Sequence, residues 1–244
     1  MKRYTLTLAY NGKNYFGWQI QPHQISVQET IEDALTKLHR NEPVKVVGCG
    51  RTDSGVHAKK YVLHFDFPEI PDCRQFCYQL NKMLPDDIAV FSCEEKTDDF
   101  HARFDAKART YRYFVHTKKD CFNFENSWYV NFPVDFDKMQ DATEILFGRQ
   151  DFASFSKSRT DVKTTFCEIS EAKWVKTGES TYYFEITADR FLRNMVRAIV
   201  GTLFEIGKGK MTKEEFRAII ATKDRRLAGT SVPGHALFLW EIEY

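Results

Sequence analysis

No run of apolar residues in this 244-residue chain approaches the length of a membrane span. The longest, Ala236-Leu237-Phe238-Leu239-Trp240, falls far short of the roughly 20 residues a spanning helix needs. Cysteine is sparse and carries no pattern: the six thiols (positions 49, 73, 77, 93, 121 and 167) form no C-x-x-C pair and no zinc-like cluster. That excludes a disulfide framework and gives no metal site, and it points to reduced thiols. A signal-peptide core is also missing, since Met1-Lys2-Arg3-Tyr4-Thr5-Leu6-Thr7 alternates apolar with polar. The expectation is a cytoplasmic protein with no membrane partner. An excess of one charge sign is absent too. The net charge is +1, with 13 Lys/Arg against 15 Asp/Glu in residues 1–106 and 22 against 19 in residues 107–244. A polyanionic partner would therefore be held by a local patch and not by the global field.

What the chain does have is a globular composition, 43% hydrophobic and 28% charged, which argues against disorder, collagen and coiled coil. Its length allows one large domain or two modest ones. Lys2–Ala9 alternates as a strand. Ser26-Val27-Gln28-Glu29 opens a helix over Val27–His39, and Val44–Val47 and Tyr61–Phe67 read as strands. Asp72 caps a helix that Pro85 stops, and Ile88–Cys93 closes a strand–helix–strand–strand–helix–strand order of the split βαβ kind.

The second half mixes strands and helices in a similar order. Arg109–Thr117 is a strand and Asp137–Leu146 a helix. Thr165–Val175 and Thr181–Ala188 form a hairpin around Thr177-Gly178-Glu179. Phe191–Ile206 is a helix, Thr212-Lys213-Glu214-Glu215 caps another, and Leu237–Tyr244 is a last strand. The expected architecture is α+β, in two similarly built halves, 1–106 and 107–244.

Two motif matches fail on their own chemistry. Gly48-x-Gly50 follows a strand, but Asp53 stands where a dinucleotide fingerprint needs its third glycine, and a carboxylate there repels a pyrophosphate. Ser154-Phe155-Ser156-Lys157 and Lys176-Thr177-Gly178 match two of three acyl-serine signatures. The S-D-N element is missing, and Thr177-Gly178 reads better as a turn.

Three other segments hold chemistry that the residues alone leave open. Gly50-Arg51-Thr52-Asp53-Ser54-Gly55-Val56-His57-Ala58 sets one carboxylate beside a guanidinium with a histidine close behind, and Asp-Ser-Gly equally makes an ordinary turn. Tyr111-Arg112-Tyr113 puts two tyrosines on one strand face, in a stretch from His101 to Lys119 whose only acid is Asp105. Interleaved bases and aromatics can hold phosphates while stacking nucleobases, or can be a core pair flanked by solvated charges. Arg190, Arg193 and Arg197 fall at i, i+3 and i+7 of the expected Phe191–Ile206 helix. They form either its wet side or, for Arg197, a partly buried charge that needs an anion.

Together these segments resemble the TruA family of tRNA pseudouridine synthases. Gly50–Ala58 is similar to its catalytic loop, Tyr111-Arg112-Tyr113 to its tyrosine motif, and Phe191-Leu192-Arg193-Asn194-Met195-Val196-Arg197 with Ile199-Val200-Gly201 to its arginine helix. Tyr15-Phe16-Gly17-Trp18-Gln19, Ser26–Glu29 and Phe100-His101-Ala102-Arg103-Phe104 add further matches in the family's order. For the stretch Ser154–Phe166 there is no family pattern to match.

The resemblance implies isomerisation of uridine to pseudouridine at positions 38, 39 and 40 of the tRNA anticodon arm. It implies a homodimer, the pseudouridine synthase fold with its mixed, mainly antiparallel sheets joined across a central cleft, and no cofactor or metal. Asp53 is then the catalytic carboxylate, Arg197 its partner, and Tyr111 the residue packing on the target base. Arg51 helps displace the nucleotide, and His57, Arg103 and Arg193 complete the expected substrate-binding set. Unstacking a uridine from a stem costs a few kcal/mol, which a cation filling the gap helps to offset. An RNA-binding protein without catalysis gains nothing from a carboxylate in its groove.

Overall fold

Alternation at the start of the chain fixes its first strand. In β1 (Lys2–Tyr10), Tyr4, Leu6, Leu8 and Tyr10 are buried, as a two-residue period requires of a half-covered sheet. The computed structural model describes residues 1–157 and 164–244, which form two compact units, Met1–Lys107 with Phe238–Tyr244, and Ala108–Leu237. Residues 158–163 of the Ser154–Phe166 stretch lie outside the described residues.

In the first unit, α1 (Val27–Leu38) starts where the Ser26 hydroxyl accepts from the Glu29 amide at 3.2 Å. It buries Val27, Ile31, Ala34 and Leu35 at helical spacing,. There follow β2 (Val46–Gly48), β3 (His57–Phe67), α2 (Cys73–Met83) and β4 (Ile88–Lys96). The Asp72 carboxylate caps α2 by accepting from the Arg74 and Gln75 amides. β1 runs antiparallel between β3 and β4, and β2 is antiparallel to the later half of β3. This is the split βαβ arrangement expected from the element order, with α2 packed on β4 and the Phe76 ring parallel to Phe65. β3 starts four residues before the expected Tyr61, because His57 and Ala58 find partners that the local pattern does not show.

The second unit contains β5 (Ala108–His116), β6 (Trp128–Tyr129), α3 (Phe136–Ala142), β7 (Gly148–Asp151), β8 (Phe166–Lys176), β9 (Thr181–Ala188), α4 (Met195–Gly207) and α5 (Lys213–Thr222). Its strands run β5–β9–β8–β7, all antiparallel, with β6 parallel on β5. Phe184 and Ile186 from the sheet, and Ile199, Leu203 and Phe204 from α4, are fully or almost fully buried. α5 starts with a reciprocal capping box between Thr212 and Glu215, the device its sequence announced. The hairpin between β8 and β9 closes with the Thr177 amide donating to the Thr181 carbonyl at 2.9 Å.

Two further expectations change. The expected helix over Phe191–Ile206 begins only at Met195. Asn194 stands in the left-handed region (φ 67°), and the Arg193 carbonyl is taken by the Lys157 amide at 3.1 Å. Arg190 and Arg193 thus precede the helix, and there is no three-arginine stripe. Chain order places the last strand, β10 (Leu237–Glu243), in the second half. From Phe238 onward it lies in the first unit, pairing parallel to β3 with Phe238 opposite His57.

Candidate active site

The Asp53 loop, residues 49–56, leaves β2 and feeds β3. Its backbone rests on the Gly12–Trp18 segment. The Trp18 amide donates to the Thr52 carbonyl (3.2 Å), the Gly55 amide donates to the Tyr15 carbonyl (3.3 Å), and the Val56 amide donates to the Asp53 carbonyl (3.1 Å). The Thr52 hydroxyl is buried 2.9 Å from the Tyr10 hydroxyl. Two glycines make the approach achievable. A Cβ on Gly12 would stand 2.0 Å from the Val56 carbonyl oxygen, and one on Gly17 2.5 Å from that of Thr52. Gly17 also has φ +96°, where a side chain is strained,.

Beneath lies an aromatic cluster in which Trp18 stacks on Tyr61 with centroids 4.1 Å apart, and the Tyr61 hydroxyl donates to the Gly50 carbonyl at 2.5 Å. Gly48 belongs to that packing, since a Cβ there would meet Tyr61 and Trp18. Its role is aromatic contact. The loop is therefore a built platform with Asp53 half-buried and Arg51 exposed.

His57, expected as a substrate contact, is 1% exposed. Its Nδ1 accepts from the Gly12 amide at 3.0 Å, and its ring stacks on Phe238 with centroids 4.4 Å apart. It ties the loop's exit to two other segments and presents no surface to a nucleotide. Arg103 is exposed in the turn His101–Asp105 of the same unit.

In the second unit the two tyrosines of β5 divide their roles by burial. Tyr113 is fully buried, donating its hydroxyl to the Pro233 carbonyl at 3.0 Å, and burial pushes its phenol well above the ordinary value. Tyr111 is half-buried, with Phe191 edge-on to it at 5.1 Å and 85°. Arg197, on the first turn of α4, donates through Nε to the Val232 carbonyl (2.7 Å), while its own carbonyl accepts from the Val232 amide (3.2 Å). It lies close enough to the Tyr113 hydroxyl to oppose the rise in its pKa. Arg193 is exposed.

The Val232–Pro233 segment, which binds both residues, gave no sequence signal. It crosses α4 at Gly201, where a Cβ would stand 1.9 Å from the Thr230 carbonyl oxygen. The Gly229 amide donates to Thr202 Oγ1, and the Asn194 side-chain amide to the Ser231 hydroxyl. Ser154 of the rejected acyl-serine motif is fully buried and donates to the Ile219 carbonyl at 2.6 Å.

Comparison with known proteins gives the family. A family model described as tRNA pseudouridine synthase matches residues 7–105 and 142–244. The chain belongs to the tRNA pseudouridine synthase family. It is 53% identical to tRNA pseudouridine synthase A of Parabacteroides distasonis, covering 100% of this chain and 96% of that protein. Its identity to the Bacteroides thetaiotaomicron protein of the same name is 52%, over 100% and 91% of the two chains. For the Bacillus subtilis one it is 41%, over 99% of each. The family model covers the Asp53 loop, the Phe191–Gly201 segment and β10, and passes over the Tyr111 strand. Among the described residues no helix is long and apolar enough to cross a membrane.

Proposed function

We propose that this family member isomerises uridine to pseudouridine at positions 38, 39 and 40 of the tRNA anticodon arm, with Asp53 as the catalytic carboxylate. The observation that carries the reading is the Asp53 loop itself. One carboxylate sits half-buried on a loop whose backbone is seated against Gly12 and Gly17, in a chain of this family. A fold gains little from such precise seating of a turn, whereas a catalytic group held to within about 0.5 Å gains much.

The reaction breaks the N1–C1′ bond, turns the uracil in place and joins C5 to C1′, after which C5 loses its proton and N1 gains one. A carboxylate serves as nucleophile or removes a ribose proton. Arg197 is the cationic partner of Asp53 in this reading. Its guanidinium is oriented by the Val232 carbonyl at Nε, so that an anion is met by a fixed fork and not by a mobile side chain. Tyr111, half-exposed and steadied by Phe191, packs on the freed base. Arg51 enters the gap left by the displaced nucleotide. Arg103 and Arg193, both exposed, contact the RNA backbone. His57 acts through the loop as a positioning residue. The enzyme works as a homodimer in the cytoplasm, and sedimentation of the purified chain checks the dimer.

The test is release of tritium from tRNA labelled at uridine C5, since only formation of the new carbon–carbon bond frees that hydrogen. Asp53→Asn keeps the shape and removes the charge, so release should stop while tRNA affinity is nearly unchanged. Multiple turnovers by the purified variant would sink the assignment.

A further inference from the structure

Phe104 is 73% exposed in the first unit, yet the turn that carries it is held on every side. The His101 amide donates to Asp105 Oδ2 at 2.8 Å, and the Arg103 and Phe104 amides donate to His101 Nδ1 at 3.2 and 3.3 Å. The Phe104 and Asp105 amides also donate to the His101 carbonyl, at 3.1 and 3.0 Å. Ala102 is pinned from below: its amide donates to Nδ1 of buried His64 at 3.0 Å, and its carbonyl accepts from the Tyr244 hydroxyl at 2.7 Å. On this base the Phe104 ring stacks on the His101 imidazole, centroids 4.2 Å apart and planes 30° apart, with the Arg103 guanidinium carbon 5.8 Å from its centroid.

Holding a phenyl ring in water does nothing for the fold, because its burial is what stabilises. An ordered aromatic face backed by an imidazole and flanked by a guanidinium is the chemistry that receives a nucleobase with its phosphate. We propose that Phe104 is a tRNA contact, its ring stacking an unpaired base while Arg103 meets the adjoining phosphate. This rests on the pseudouridine synthase reading above for its substrate. Asp105, on the same turn, accepts from the His101 amide.

The experiment compares Phe104→Leu and Phe104→Trp with the wild-type chain in tRNA filter binding, thermal unfolding and sedimentation. Leucine keeps an apolar side chain of similar bulk but has no π face, so binding should weaken roughly five- to hundred-fold. At this exposed site the melting temperature should stay within about 2 °C. Tryptophan should bind at least as tightly as phenylalanine. Wild-type affinity in Phe104→Leu overturns the proposal. So does a change in sedimentation with tRNA binding intact, which would make the ring a protein contact. A wild-type chain that binds tRNA through Phe104 but releases no tritium would sink the enzymatic reading and leave the contact standing.

Discussion

Gly17→Ala tests the construction of the site without touching any group that does chemistry. The added Cβ meets the Thr52 carbonyl oxygen at 2.5 Å and the Asp53 carbonyl carbon at 3.1 Å, where ordinary contact begins at 3.4 Å. Both neighbours are backbone atoms that cannot rotate away, so the loop must retreat by about 0.9 Å or the 15–18 segment must move. The residue also keeps φ +96°, which costs an L-residue roughly 1–2 kcal/mol. Overpacking adds about 1–3 kcal/mol. Together that is about 2–5 kcal/mol, a melting temperature lowered by roughly 4–20 °C for a chain of this size.

A displacement near 1 Å of a catalytic group costs on the order of 100-fold in rate. Single-turnover tritium release at saturating enzyme separates that loss from any change in tRNA affinity. Gly50→Ala is the control in the same loop, because a Cβ there has nothing within 4 Å, and it should behave like the wild-type chain. If Gly17→Ala and Gly50→Ala were equally active and equally stable, the seating of the loop on Gly17 would not be what positions Asp53.

Burial, aided by the Arg3 charge, holds His64 down to about 4, against about 6.5 for an ordinary histidine. The unfolded chain takes up that proton first, so the His64 contribution is full above about pH 6.5 and is lost as pH falls towards 4, by up to about 3 kcal/mol. Unfolding measured across that window should show a flatter acid limb for His64→Asn, which keeps an acceptor for the Ala102 amide. Tyr111→Ala should weaken tRNA turnover by the loss of one base stack, about 1–3 kcal/mol, while Tyr111→Phe keeps the stack; equal kinetics for Tyr111→Ala and wild type would remove the tyrosine from the site. Gly201→Ala drives a Cβ into the Thr230 carbonyl and should dislodge the segment that holds Arg197, lowering stability by about 1–3 kcal/mol along with activity. A wild-type melting curve for that variant would show that the crossing at Gly201 tolerates what its geometry forbids.

Local chemistry made much of this protein legible from its residues. Period-two alternation marked β1, and Ser26, Asp72 and Thr212 announced the helices they cap, because a cap satisfies amides only two or three residues away. The Asp53 loop stood out by its glycines and its single carboxylate. Short-range patterns could not show contacts between residues distant in the chain. Asn194 delays the start of the expected helix to Met195 by adopting a left-handed turn, which moves Arg193 off the face that sequence spacing gave it. His57 reads as a neighbour of Asp53 and becomes a packing residue, because Gly12 and Phe238 close around its ring. No local pattern says why glycine stands at positions 12, 17 and 201. The necessity comes from carbonyl oxygens of residues 56, 52 and 230, which tertiary structure alone brings within 2.5 Å of where a Cβ would lie.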